Sequence, residues 1–135
     1  MDAPAVAVSN DGKKVAVAWM DMRSGRNDRD VQWTIGVGGK FAPETTVHDD
    51  TKNMQGHPSL VFDAEGTAWC AWEDARAGVN DQRIYAAESK TKKNVAVSAP
   101  GEGKCGYPAL ALGGAVVGVA YESGSGISFR TLSGQ

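Results

Sequence analysis

The residues best equipped for chemistry fall in two groups with a shared spacing. Asp21 and Arg23 stand two apart, and so do Asp74 and Arg76, each pair inside a copy of Asp-x-Arg-x-Gly-x-Asn-Asp. Glu73 and Glu122 occupy matching places in two further copies of a short tetrad, while His57 and Tyr107 each precede a proline. Carboxylates can hydrogen-bond ligand hydroxyls or act as acid and base. Two of them flanking a glycosidic bond need to stand ~5–5.5 Å apart for retention, or ~6.5–9.5 Å for inversion. Arginine grips carboxylates through a planar fork, and the His and Tyr rings can stack on a sugar face. Each residue also has a structural reading. An Asp-x-Arg pair repeated in two copies reads as a loop clamp, with the carboxylate accepting turn N–H groups. His57 and Tyr107 read equally as packing residues, and His48 reads as a solvated strand end. Asn27-Asp28 and Asn80-Asp81 are turn chemistry, and no ligand spacing points to a metal or another cofactor.

The elements that must position these side chains repeat along the chain. The segments beginning Pro4-Ala-Val-Ala-Val, Pro58-Ser-Leu-Val-Phe and Pro108-Ala-Leu-Ala-Leu align without gaps at their starts. A turn glycine follows at Gly12 and Gly66, with Gly113-Gly114 in the third copy. The tetrads Ala18-Trp19-Met20-Asp21, Ala71-Trp72-Glu73-Asp74 and Ala120-Tyr121-Glu122-Ser123 come next. Val15–Trp19 and Val117–Tyr121 alternate with the period of a strand. Third strands are expected at Val31–Ile35, Ile84–Ala87 and Ile127–Arg130, and fourth strands at Glu44–His48 and Val95–Ser98. No window carries a capped 3.6-residue period, so the chain is expected to be all-β. Four antiparallel strands in about 50 residues is the size of one β-propeller blade. A β-sandwich shares the short strands and frequent turns, but it does not predict an in-register repeat of this length.

The expected layout is one arc over residues 1–135: a blade at about 3–50, a second at about 57–99, and a partial third at about 107–132 that lacks its last strand. In a four-stranded meander the end of the second strand and the start of the first open on one rim. Asp21, Arg23, Glu73, Asp74, Arg76, Glu122, His57 and Tyr107 are therefore expected together there, with His57 and Tyr107 pointing toward the axis. Ala3 takes their place in the first copy. A site is better sought where the repeat breaks its own pattern than where it keeps it.

Composition narrows the partners. In 135 residues there are 14 basic and 16 acidic side chains, a net charge of −2, with both signs scattered. This gives no basic face for nucleic acid and no polybasic run for a membrane surface, and no apolar stretch approaches a membrane span. Glycine, at 17 residues, is about double its usual share, as many tight turns require. Met1-Asp2-Ala3-Pro4 is neither a signal nor a transit peptide. Cys70, inside Thr67–Trp72, reads as a small buried hydrophobe, with pairing to Cys105 as the alternative.

The pattern Pro-x-Leu-x-Val-x-x-x-Gly-x-x-x-x-Ala-Trp-Glu-Asp-x-Arg-x-Gly resembles the sialidase-like (BNR/Asp-box-type) β-propeller superfamily over nearly the whole chain. Gly38-Gly39-Lys40-Phe41-Ala42-Pro43 looks like a worn Asp box, with Val37 where its Asp would stand, and Lys90–Asn94 is worn further. The resemblance implies a six-bladed propeller with its site on the loop-rich face. In family enzymes that site has an arginine triad, a Tyr/Glu nucleophile pair and an Asp acid/base; it also implies a secreted or periplasmic location. Tyr107, Glu122 and Glu73 are the candidate catalytic residues, and only Arg23 and Arg76 stand on the right rim as arginines. An arc exposes the apolar faces of its end blades. At ~25 cal/mol per Å², covering several hundred Å² at each end is worth on the order of 10 kcal/mol, so self-association as a homodimer completing a propeller is expected. Three functions follow: a non-catalytic module binding a carbohydrate or protein ligand, a sialidase-like glycoside hydrolase or a fragment of one, and a structural segment of a longer protein.

Overall fold

A computed structural model describes residues 4–25 and 27–133; Ala3, the first-copy counterpart of His57 and Tyr107, lies outside them. Those residues form twelve β-strands in three antiparallel sheets, with no helix among them. The first sheet holds β1 (Ala5–Val8), β2 (Lys14–Asp21), β3 (Asp30–Val37), β4 (Lys40–Phe41) and β5 (Thr45–Thr46). The second holds β6 (Gln55–Phe62), β7 (Ala68–Asp74), β8 (Arg83–Glu88) and β9 (Val95–Ala96), and the third β10 (Gly106–Gly113), β11 (Val116–Ser123) and β12 (Gly126–Ser133). Each sheet is a meander in chain order, and each is a propeller-type blade.

The turns explain the hairpins. Asp11 Oδ1 accepts from Ser9 Oγ and Lys13 N, and the chain reverses through Gly12 at φ 72°. Asp63 does the same in the second blade, accepting from Glu65 N and Thr67 N ahead of Gly66 at φ 78°. Both glycines sit in the left-handed region that a Cβ disfavours. The expected fourth strand at Glu44–His48 is instead two short pieces on the free edge of β3. β4 pairs Val37 with Lys40, and β5 pairs Gln32 with Thr46. Pro43 lies between them, and a proline has no N–H to continue the ladder.

Alternation sends successive residues of each strand to opposite faces. Ala16, Ala18, Val31 and Trp33 of the first sheet pack on Leu60, Phe62, Cys70 and Trp72 of the second. Ala71, Ile84 and Ala86, on the far side of the second sheet, pack on Cys105, Val119 and Tyr121. The alanines let the sheets approach, and the rings and branched chains fill the gap. Trp72, fully buried, is the largest of them, and truncating such a ring costs about 3–5 kcal/mol. β6 lies against β1 on one side and β10 on the other, and Leu110 N–H donates to Ser59 Oγ at 3.0 Å across the second contact. The strands that begin each blade are thus its inner strands. Cys70 and Cys105 are free and buried in the cores on opposite sides of the second sheet.

Candidate functional site

The start of each inner strand is irregular in the same way. Gly56 faces Glu73 and Ser59 faces Ala71, so one extra residue bulges from β6 between them. β10 repeats this between Gly106, opposite Glu122, and Ala109, opposite Ala120. The bulges put His57 at φ 47° and Tyr107 at φ 52°. A non-glycine residue held there costs of order 1–3 kcal/mol. The prolines that follow, Pro58 and Pro108, have no N–H for the ladder to lose.

Glu73 ties the two bulges together. His57 Nδ1 donates to its Oε1 at 2.7 Å, and the Tyr107 backbone N–H donates to its Oε2 at 2.7 Å. The His57 and Tyr107 rings lie 4.8 Å apart at 49°. Gly106 permits this contact, because a Cβ there would come within 3.0 Å of Glu73 Oε2. Glu73 is only 8% exposed, whereas Tyr107 is 61% exposed. The carboxylate is fixed and largely covered, and the phenol ring is presented to solvent.

A cavity of about 40 Å³ opens beside this cluster, lined by Arg29, Gln55, His57, Glu73 and Gln82 among others. That is room for a hydroxyl group or a water or two. Arg29 Nε and Gln55 Oε1 are buried polar atoms with no hydrogen-bond partner among the described residues. Among the described residues, Arg29 Nη2 bonds the Met54 thioether at 3.2 Å and no carboxylate pairs with it. Arg29 and Gln82 fill the same repeat position, since Gln55 N donates to Arg29 O as Cys105 N donates to Gln82 O. Sequence reasoning passed over both. The signal was there, a charged residue against an amide at one repeat position two before the third strand.

The remaining candidates lead elsewhere. Asp21 accepts from Arg23 N and Nε at 2.8 Å each, and Arg23 Nη2 reaches outward to Glu44. Hydrogen bonds from Arg23 hold the Asp21 carboxyl below its usual range. Asp74, wholly buried, accepts from Arg76 N, Nε and Nη2 and from Trp72 Nε1. Burial alone would push Asp74 up, but the Arg76 and Trp72 hydrogen bonds outweigh it and hold it low. Arg76 also bonds Asp49 and Asn94 and lies 4.0 Å over the Tyr85 ring. Both guanidinium groups are therefore turned to the outer strands, away from the inner-strand cluster. Glu122 is exposed, opposite Ile127 and Gly106 within the third sheet.

His48 is not the solvated strand end its sequence context suggests: its side chain is buried, with Nε2 accepting from Val31 N at 3.2 Å and Nδ1 donating to Asp50 O. Ser98 Oγ does the same for Ile84 N in the second blade. The third blade, lacking the Asp-x-Arg loop, has a substitute clamp. Tyr121 O–H donates to Glu102 at 2.9 Å, and Arg130 pairs with Glu102 at 3.2 Å. Burial first, and the Glu102 contact second, push the Tyr121 phenol up to about 12. Among the described residues no cluster of His, Cys, Asp and Glu is arranged to hold a metal ion.

No family model matches the sequence, and no curated protein matches it. Solved structures do. A Hadza microbial sialidase, Hz136, superposes with a TM-score of 0.61 at 14% identity, over 96% of this chain and 30% of its own. A Penicillium chrysogenum alpha-L-arabinanase, determined with arabinobiose, superposes with a TM-score of 0.61 at 10% identity, over 94% of this chain and 41% of its own. The chain thus has a β-propeller-type fold like that of both structures and spans less than half the length of either.

Proposed function

We propose that this chain is a non-catalytic, carbohydrate-binding portion of a sialidase-like propeller, with its ligand seated at His57, Glu73, Tyr107 and Arg29. The observation that carries this reading is the fixed carboxylate between two strained, ring-bearing bulges. The exposed Tyr107 ring offers an apolar face to a sugar, and the Arg29 guanidinium and the Gln55 and Gln82 amides supply directional bonds to hydroxyls. The donors already holding both Glu73 oxygens favour binding over turnover. Arg23 and Arg76 are spent on Asp21, Glu44, Asp74 and Asp49, so neither supplies the carboxylate grip of a sialidase.

The test is calorimetric titration with neutral and acidic oligosaccharides, alongside turnover assays on fluorogenic glycosides. At least one saccharide is expected to bind, with Tyr107→Ala weakening it about 10–100-fold, as the loss of one stacked ring implies, and no glycoside is expected to turn over. The hydrolase reading, favoured by the same juxtaposition of Glu73 and Tyr107, predicts turnover abolished by Tyr107→Phe or Glu73→Gln in a folded protein. That result, or the absence of any saccharide binding, overturns the proposal.

A further inference from the structure

The polar groups that line the cavity beside Glu73 are held by bonds behind them. Gln55 is 1% exposed, and its Nε2 donates to Lys52 O at 2.8 Å and to Asp74 Oδ1 at 3.4 Å. Those two bonds set the amide, so Oε1 is the end left without a donor among the described residues. Gln82 is tied in the same way, with Nε2 donating to Cys105 O at 2.8 Å. Both Glu73 oxygens already accept, from His57 Nδ1 and from Tyr107 N. Arg29 brings the opposite need to the same lining. Its Nε has no acceptor among the described residues, and its Nη2 rests on a thioether. The lining therefore asks for one group that donates to Gln55 and accepts from Arg29. Its charges also balance, since Arg29 carries its permanent positive charge and Glu73 its negative one.

We infer that this cavity admits a hydroxyl group and turns away a carboxylate, so that the saccharide bound here is a neutral one. The inference deepens the function proposed above and rests on it. A hydroxyl meets both needs at once, accepting from Arg29 and donating to Gln55, and about 40 Å³ is room for it. A carboxylate only accepts. It would leave Gln55 Oε1 facing another acceptor, and it would set a second negative charge beside Glu73 in a lining whose permanent cation is already matched. Taking a charge out of water without a counter-charge is costly. An ammonium group fails from the other side, because it only donates and would face the Arg29 guanidinium as a like charge. Gln55 thus sets which hydrogen-bonding group fits, and the Arg29 and Glu73 charges together set that it is neutral. Gln82 is where the balance can be tipped. It stands at the repeat position that Arg29 fills in the first blade, and an arginine there too would give the lining a surplus of positive charge.

Calorimetric titration with matched saccharides tests it. The probes are gluco- and galacto-oligosaccharides, each offered with its primary hydroxyls intact and with them oxidised to carboxylates. The wild type is expected to bind the neutral member of a pair about tenfold or more tightly than the acidic one, as a like charge held near Glu73 implies. Glu73→Gln keeps the shape and removes the negative charge, and Gln82→Arg adds a positive charge while leaving Glu73 and both bulges in place. Each is expected to shrink the neutral-to-acidic ratio about tenfold, and far-ultraviolet circular dichroism checks that the variants fold. Gln82→Arg carries the test if Glu73→Gln does not fold. An acidic member that binds the wild type as tightly as its neutral partner overturns the inference and leaves the binding function standing. A ratio unmoved in folded Gln82→Arg does the same. Binding of neither member of any pair overturns the proposed function, and this inference with it.

Discussion

Replacing Asp74 with alanine removes the acceptor for three Arg76 donors and for the Trp72 indole N–H at once. Removing one partner of a buried ion pair costs about 3–5 kcal/mol, because the remaining charge is left uncompensated. Arg76 is 15% exposed and keeps Asp49 and Asn94, which moves the figure to the low end. The indole N–H left without an acceptor adds about 1 kcal/mol. The sum, about 4 kcal/mol, is a large part of the ~5–15 kcal/mol that holds a typical domain together. Asp21→Ala deletes the equivalent group in the first blade, but there Arg23 is 67% exposed and solvent replaces much of what is lost. Its cost is expected to be less than a third of the Asp74 cost, and to shrink in high salt, whereas the Asp74 cost does not. Urea denaturation of the three proteins measures this, with the midpoint shifting at constant slope. Equal costs for the two alanines would refute the reasoning, since the motif is the same and only its burial differs.

Three other outcomes follow from the same contacts. Because Asp74, Asp21 and Glu102 are held below their unfolded values, their stabilisation is present above about pH 4 and lost as pH falls through the folded values. Asp74→Asn should flatten that acid limb in denaturation midpoints measured from pH 2 to 7. Tyr121 has the opposite sign: its contribution is held below about pH 10 and lost as pH rises through about 12. In a spectrophotometric alkaline titration, Tyr121→Phe should therefore remove a phenol that ionises near pH 12. Cys70 and Cys105 are 0% and 1% exposed, and burial pushes both thiols up. Neither should react with a thiol reagent until the protein unfolds, and oxidised protein should show no disulfide between them by mass.

The repeat made the fold legible, because strand period, turn glycine and tetrad all agreed at each copy. It also exposed His57 and Tyr107 as places where the copies differ, and the structure joins them through Glu73. What the sequence concealed were partners distant along the chain. Tyr121 bonds Glu102, which precedes its blade, and Glu102 in turn pairs with Arg130 on β12, so no local spacing reveals that clamp. His48 looked like a solvated strand end, yet it caps the Val31 N–H as Ser98 caps Ile84. A histidine and a serine share only an acceptor atom there, and similarity of residue type does not register it. The bulges at Gly56 and Gly106 were hidden for another reason. An extra residue in one strand leaves its period-two pattern intact on either side.

Met20 lies over Gly56 with its sulfur 3.0 Å from where a Cβ would stand, just as Glu73 lies over Gly106. Each glycine keeps open a slot into which the preceding blade inserts one side chain, and the surrounding backbone is the same whether the insert is a thioether or a carboxylate. The scaffold therefore separates shape from chemistry. A single codon change at the slot swaps an inert plug for an acid without disturbing a strand. A repeat protein of this kind can acquire, lose or relocate a polar centre one blade at a time.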